Sequence, residues 1–181
     1  MLKIFLGTLF LVAVHSCSDF NKNDYLRSLG TLEKTIDSIE TVLLENEIDT
    51  FPRLLSSSLM LELHLKDEVL SDTLPLEMAT QINEFQVALH DLKPLGQFYQ
   101  SMLQSIPHQR FSVQLLKNEV QNDSGDRHKY AENLAFESKR VKGLNTSLTE
   151  FIERKNNAVS AIQRNFSPLT AFYLELRSKK N

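Results

Sequence analysis

Residues 24 to 47 read DYLRSLGTLEKTIDSIETVLLENE. Within them Tyr25, Leu29, Leu32, Ile36, Ile39 and Leu43 recur at alternating spacings of four and three. That rhythm puts all six side chains in one stripe along an α-helix, with charged and small polar residues between them for solvent. The stretch predicts a helix over about 24–47 that buries one face against other helices.

The same pattern continues outward. Asp49-Thr50-Phe51-Pro52 supplies a cap candidate and a proline near a helix start, opening a segment rich in leucine: Leu54, Leu55, Leu59, Leu61, Leu65 and Val69. Its apolar arc is wide, so this second helix is expected to be the most buried. Ser71-Asp72-Thr73-Leu74-Pro75 marks the next turn. After it Met78, Ile82, Phe85, Leu89, Leu92, Gly96, Tyr99, Leu103 and Ile106 keep the rhythm across Pro94. Proline removes a donor and clashes with the preceding turn, so a kink or a meeting of two helices is expected near Lys93. Pro107 is expected to end this segment, ahead of a short helix over 109–120 carrying Phe111, Leu115, Leu116 and Val120.

Asn122-Asp123-Ser124-Gly125-Asp126 is the clearest turn signal in the chain. A long basic helix follows to Asn165, its buried side marked by Tyr130, Leu134, Val141, Leu144, Leu148, Phe151, Ile162 and Phe166. Gly143 and the capping-box pattern Ser147-Leu148-Thr149-Glu150 are possible points of division. Ser167-Pro168 is expected to open a last short helix with Leu169, Phe172, Tyr173 and Leu176, and residues 177–181 to fray. No alternating β-branched stretch argues for a sheet, and five glycines with no tryptophan in 181 residues favour helix. The expected fold class is all-α, an up-and-down antiparallel bundle of four or more helices with long, coiled-coil-like members. No internal repeat or low-complexity linker argues for two domains. The stripes could close within one chain or join two, so the oligomeric state stays open.

The chain starts with Lys3, an apolar run from Ile4 to Val14, and its only cysteine, Cys17. Spanning a bilayer takes about 20 apolar residues, so the run is an export signal rather than a membrane span. Val14-His15-Ser16-Cys17 resembles the lipobox of bacterial lipoproteins, with a branched aliphatic three before the cysteine and a small residue directly before it; His15 departs from the small or aliphatic residue usual between them. The resemblance covers about the first twenty residues and implies cleavage before Cys17 and diacylglycerol on its sulfur. It divides the chain into a signal peptide over 1–16, a lipidated tether over 17–23 and a helical-bundle domain over 24–181. It also implies a bacterial cell envelope address, and Ser18, standing where aspartate would favour inner-membrane retention, points to the outer membrane facing the periplasm. The alternative is an ordinary secretory signal cut near Ser16 that leaves Cys17 a free thiol. Sequons at Asn122, Asn145 and Asn165 are about as many as chance supplies in a chain of this composition.

Charge is unevenly placed. Residues 18–106 carry 6 basic and 15 acidic side chains, whereas residues 107–181 carry 13 basic and 8 acidic. The basic half, with Lys139, Arg140, Lys142, Arg154, Lys155 and Arg164, could attract anionic headgroups, a cell-wall polymer or an acidic partner. The favoured reading is internal complementarity, with acidic first and third helices beside the basic long one, each rim pair worth about 0.2 to 1 kcal/mol. An acidic mature chain outside the cytoplasm gives no reason to expect nucleic acid.

No catalytic constellation stands out. The pairs His64 with Glu68 and His128 with Glu132 lie four apart on a helix face but form neither HExxH nor a Glu-x-x-His pair, and His90 and His108 are isolated. Met60, Met78 and Met102 could be considered as haem ligands, but there is no CxxCH and methionines at helical spacing usually fill cores. There is no GxSxG, no SxxK and no phosphate-cradling glycine loop, and Ser56-Ser57-Ser58 reads as small residues allowing close helix approach. No catalytic, cofactor or metal residue is therefore assigned; the one site is lipidation at Cys17. The expectation is a non-enzymatic, membrane-anchored envelope lipoprotein, an interaction or accessory component with an envelope protein or cell-wall partner. A small-ligand carrier for haem or lipid, and a freely secreted lipid-surface-binding bundle similar to exchangeable apolipoproteins, are the alternatives.

Overall fold

The computed structural model describes residues 21–69 and 74–180. Its elements are α1 (Lys22–Glu45), α2 (Phe51–Val69), α3 (Leu76–Leu92), α4 (Leu95–Gln121), a 3-10 turn at Arg127–Lys129 and α5 (Tyr130–Lys180), with no strand among the described residues. The fold is an all-α helical bundle. The described residues form two compact units, 21–36 with 108–141 and 37–69 with 74–107 and 142–180. Each is assembled from stretches far apart in the chain, so no linker in the sequence marks the division.

In the first unit the α4-to-α5 turn is built by backbone geometry that few residues accept. Asp123 and Gly125 both have positive φ, 52° and 78°, a region tolerated by Asp, Asn and Gly. The Asp126 carboxylate then accepts from the His128 backbone N–H, and the Tyr130 hydroxyl lies against the carbonyls of Glu119 and Ser124. Lys22 closes the end by donating to the Gln121 carbonyl at 2.9 Å and to Asp123 at 2.7 Å. These contacts set α1 antiparallel to α4, while the edge-on pairing of Tyr25 with Tyr130 sets it parallel to α5. Leu29, Ile36, Val113, Leu116, Val120, Tyr130 and Val141 fill the centre.

The hydrogen bond from Lys22 holds the Asp123 carboxyl below its ordinary value, helped by the Lys22 and Arg127 charges. A folded-state pKa below the unfolded one contributes stability above the unfolded pKa, and that contribution is lost as pH falls through the folded pKa. Asp123→Asn keeps a residue that tolerates positive φ but removes the charge. Its urea midpoint is expected to match that of the parent protein below the carboxylate range and to fall behind it as pH rises toward neutrality.

In the second unit α2 and α3 run antiparallel, and α3 also opposes α5. Glu84 meets Arg164 and Asn165, Phe85 meets Phe166, and His64 of α2 stacks on Tyr173 at 4.9 Å between ring centres. Phe151 is fully buried between Phe98 and Tyr99. Burial, together with the Glu47 and Asp49 carboxylates, raises the pKa of the Tyr99 phenol and keeps it protonated.

Several expectations are corrected. Helix α4 runs through Pro107 and α5 through Pro168 without division, and α5 reaches Lys180 where fraying was expected; Gly143 and Ser147–Glu150, left open as points of division, lie within the unbroken long helix. An internal proline costs about 3 kcal/mol, but Ile106 and Gln109 flank Pro107, and Asn165 and Leu169 flank Pro168, all buried. Packing on both sides offsets the missing hydrogen bond. At Pro94 the chain does form two helices, meeting across Lys93 and Pro94. Lys22 and Asn23, expected in the tether, lie in α1.

Helix α2 is not the most buried. Phe51, Ser58, Leu61 and Leu65 are inside, but Leu59, Met60 and Leu63 are exposed. In α4 the seam is Leu95, Tyr99, Met102, Ile106, Gln109, Val113, Leu116 and Val120; Gly96 and Leu103 fall to its edge, and Phe111 and Leu115 face out. One unbroken helix has one phase, and Phe111 and Leu115 are out of phase with that seam.

Candidate functional site

The seam of α5 can be followed without interruption through Tyr130, Leu134, Glu137, Val141, Leu144, Leu148, Phe151, Lys155, Ala158, Ile162, Asn165, Leu169, Phe172 and Leu176, at strict alternating spacings of four and three. Three of these positions are polar, and each has a particular partner on another segment. Glu137, 9% exposed, accepts from the Gln109 side-chain amide at 2.5 Å, with Arg140 at 3.6 Å. Lys155 donates to Asn46 at 3.1 Å, and its partial burial lowers the pKa of the ammonium. Asn165, 3% exposed, donates to Glu84 at 3.3 Å and to the Ala161 carbonyl at 3.0 Å, while Arg164 reaches the same Glu84 oxygen at 2.8 Å. Polar groups in an apolar seam are tolerated only when paired, and a mispaired register would strand them. These layers fix which helix faces which.

Sequence reading missed Gln109, Glu137 and Asn165 as interior residues because it sought apolar side chains alone. The unbroken spacing from Tyr130 to Leu176 was the signal that could have found the latter two. Burial of Asn165 and its place inside a helix also leave its sequon unsuited to a glycan.

Two surface grooves flank the first turns of α3 in the second unit. One, of about 730 Å³, is lined by Leu74, Met78, Phe172, Leu176 and Lys179 among others. The other, of about 800 Å³, includes Gln81, Glu84, Arg164 and Asn165. Both are open to solvent along the helix, and neither gathers nucleophile, base and donor about one point.

Cys17, the residue expected to carry lipid, lies outside the described residues. His64 is engaged with Tyr173, and His90, His108 and His128 are exposed; among the described residues no three metal-ligating side chains converge. Of the methionines considered as haem ligands, Met102 is buried in the core, Met78 is half-buried and Met60 is exposed. Of the basic residues, Arg164 pairs with Glu84, Arg140 with Glu137 and Arg154 with Glu150. Together with Lys117 to Glu33 at 2.5 Å, the Arg164 pair carries the expected complementarity between acidic and basic halves. No described helix is long and apolar enough to cross a membrane.

Comparison of the chain with family models, curated proteins and solved structures returns no match.

Proposed function

We propose that this protein is a bacterial envelope lipoprotein, held on a membrane by lipid on Cys17 and acting without catalysis as an interaction or accessory component, on the outer membrane facing the periplasm. The observation that carries the reading is the lysine, apolar run and Val14-His15-Ser16-Cys17 sequence at the start of the chain. Two or three acyl chains, at about 0.8 kcal/mol per buried methylene, suffice for stable attachment. The architecture is compatible with such a role. Helix α1 begins at Lys22, and a chain segment extends at most about 3.5 Å per residue, so its first turn would sit within roughly 17 Å of the lipidated sulfur. The turn beside Lys22, with Arg127 and Lys129, would then lie close to the headgroups.

The test is the intact mass and N-terminal peptide of protein purified from its native membrane. The expected result is a chain beginning at acylated Cys17. An unmodified Cys17 in a soluble fraction would overturn the reading.

A small-ligand carrier is the second reading, supported by the groove beside Met78, Phe172 and Leu176. Haem or lipid retained through purification, read by absorbance and mass spectrometry, would favour it over an accessory role.

A further inference from the structure

The exposed side of α2 carries a pattern that the fold of one chain leaves unused. Arg53, Ser56, Met60, Leu63 and Asp67 follow one another at spacings of three, four, three and four, and all are exposed. They form a second seam on a helix whose first seam, Ser58, Leu61 and Leu65, is already buried. Met60 and Leu63 keep 53% and 54% of their surface in solvent, and Leu59 beside them keeps 39%. On the other flank, His64 is held against Tyr173, so the face is turned away from α5.

The seam is also self-complementary. Arg53 and Asp67 stand seven residues on either side of Met60, about 10 Å along the helix axis. Neither is in an ion pair among the described residues. If two copies of α2 lie antiparallel with a two-fold axis beside Met60, Arg53 of each comes level with Asp67 of the other. The same operation brings Leu63 level with Ser57 of the second copy, next to its Ser56, so a large apolar side chain meets small ones. The Ser57 hydroxyl is already satisfied by the Arg53 and Leu54 carbonyls at 3.0 Å and makes no polar demand on the apolar side chain facing it. A parallel pairing would instead place Arg53 on Arg53 and Asp67 on Asp67, which like-charge repulsion disfavours.

We propose that α2 is the contact surface of a homodimer, two-fold symmetric and antiparallel, with Met60 at the axis and reciprocal Arg53 to Asp67 pairs closing its ends. One helix from each copy is a small interface, so association in dilute solution is weak. Confinement of many copies to one surface would strengthen it by raising their effective concentration. The proposal stands on α2 alone and does not require the lipid anchor.

The test uses the full chain carrying Met60→Cys, treated with a short thiol-bridging reagent, beside Val87→Cys on α3, a site of equal exposure outside the seam. The expected result is a dimer from Met60→Cys well above the Val87→Cys background, with peptide mapping that joins position 60 to position 60. In the Met60→Cys background, Arg53→Asp or Asp67→Arg alone sets like charges at both ends and lowers the yield by roughly fivefold, and the two exchanges together restore it. Equal yields from the two cysteine variants, position 60 joined to a different protein, or no recovery in the double exchange would each overturn the proposal. All the substituted positions are exposed, and unchanged far-ultraviolet circular dichroism confirms that each variant is folded.

Discussion

Phe151→Ala lowers the free energy of unfolding by about 3 to 5 kcal/mol, the range found when a large aromatic is removed from a closed core. The ring is fully buried, with Phe98 at 6.1 Å in an edge-on arrangement and Tyr99 at 5.7 Å. Truncation removes its transfer energy and two aromatic contacts, and leaves a cavity that stiff neighbouring rings cannot collapse to fill. Urea unfolding followed by circular dichroism measures the effect. Phe136→Ala is the matched control: that ring is 59% exposed and its specific contact is with the Arg140 guanidinium at 5.7 Å, worth about 0.5 to 1 kcal/mol at an exposed site. A loss at Phe151 no larger than at Phe136 would mean that the Phe98, Tyr99 and Phe151 cluster is not a closed core.

Phe151 was legible from the sequence because it is an apolar member of a regular stripe, as were Leu29, Ile36, Ile39 and Leu43 in α1. The all-α class followed from the same periodicity. What was not legible has a common cause. Pro107 was read as the end of one helix and Pro168 as the start of another because local chemistry forbids one hydrogen bond, but whether a helix continues depends on packing either side of the proline, which a linear reading does not weigh. The broad leucine arc of α2 was read as depth, whereas a helix has only so much surface to bury against its own chain, and Met60 and Leu63 remain outside. Glu137 and Asn165 keep the spacing of the α5 seam but were passed over as polar, and their pairing with Gln109 and Glu84, partners 28 and 81 residues away, leaves no mark in the local pattern. For Cys17 the sequence gives a motif, and the chemistry at its sulfur is a matter for mass measurement.

Gln109→Leu tests whether those polar layers act as argued, and it is expected to destabilise the protein by about 2 to 3 kcal/mol. Gln109 is 4% exposed and Glu137 9%, and the amide is the nearest donor to that carboxylate, at 2.5 Å. Arg140 is more distant at 3.6 Å and its side chain is 42% exposed, so water screens much of its attraction. Removing the amide therefore leaves a carboxylate poorly solvated inside the seam, and a hydrogen bond to a charged group is worth about 1.5 to 3 kcal/mol. Glu137→Gln keeps an acceptor for Gln109 and removes the charge, and is expected to change stability by less than about 1 kcal/mol. The double replacement Gln109→Leu with Glu137→Leu distinguishes mere loss of a contact from stranding of a charge. If the penalty in Gln109→Leu is the stranded carboxylate, the double variant recovers most of it and reaches or exceeds the stability of the parent, because apolar packing can replace a buried polar pair. If the two single losses simply add, the pair is not a coupled layer. Recovered stability would also expose what the pair contributes beyond energy: with an apolar seam on both helices, registers that Gln109 and Glu137 now exclude become accessible, and broadened amide resonances in the double variant would report them.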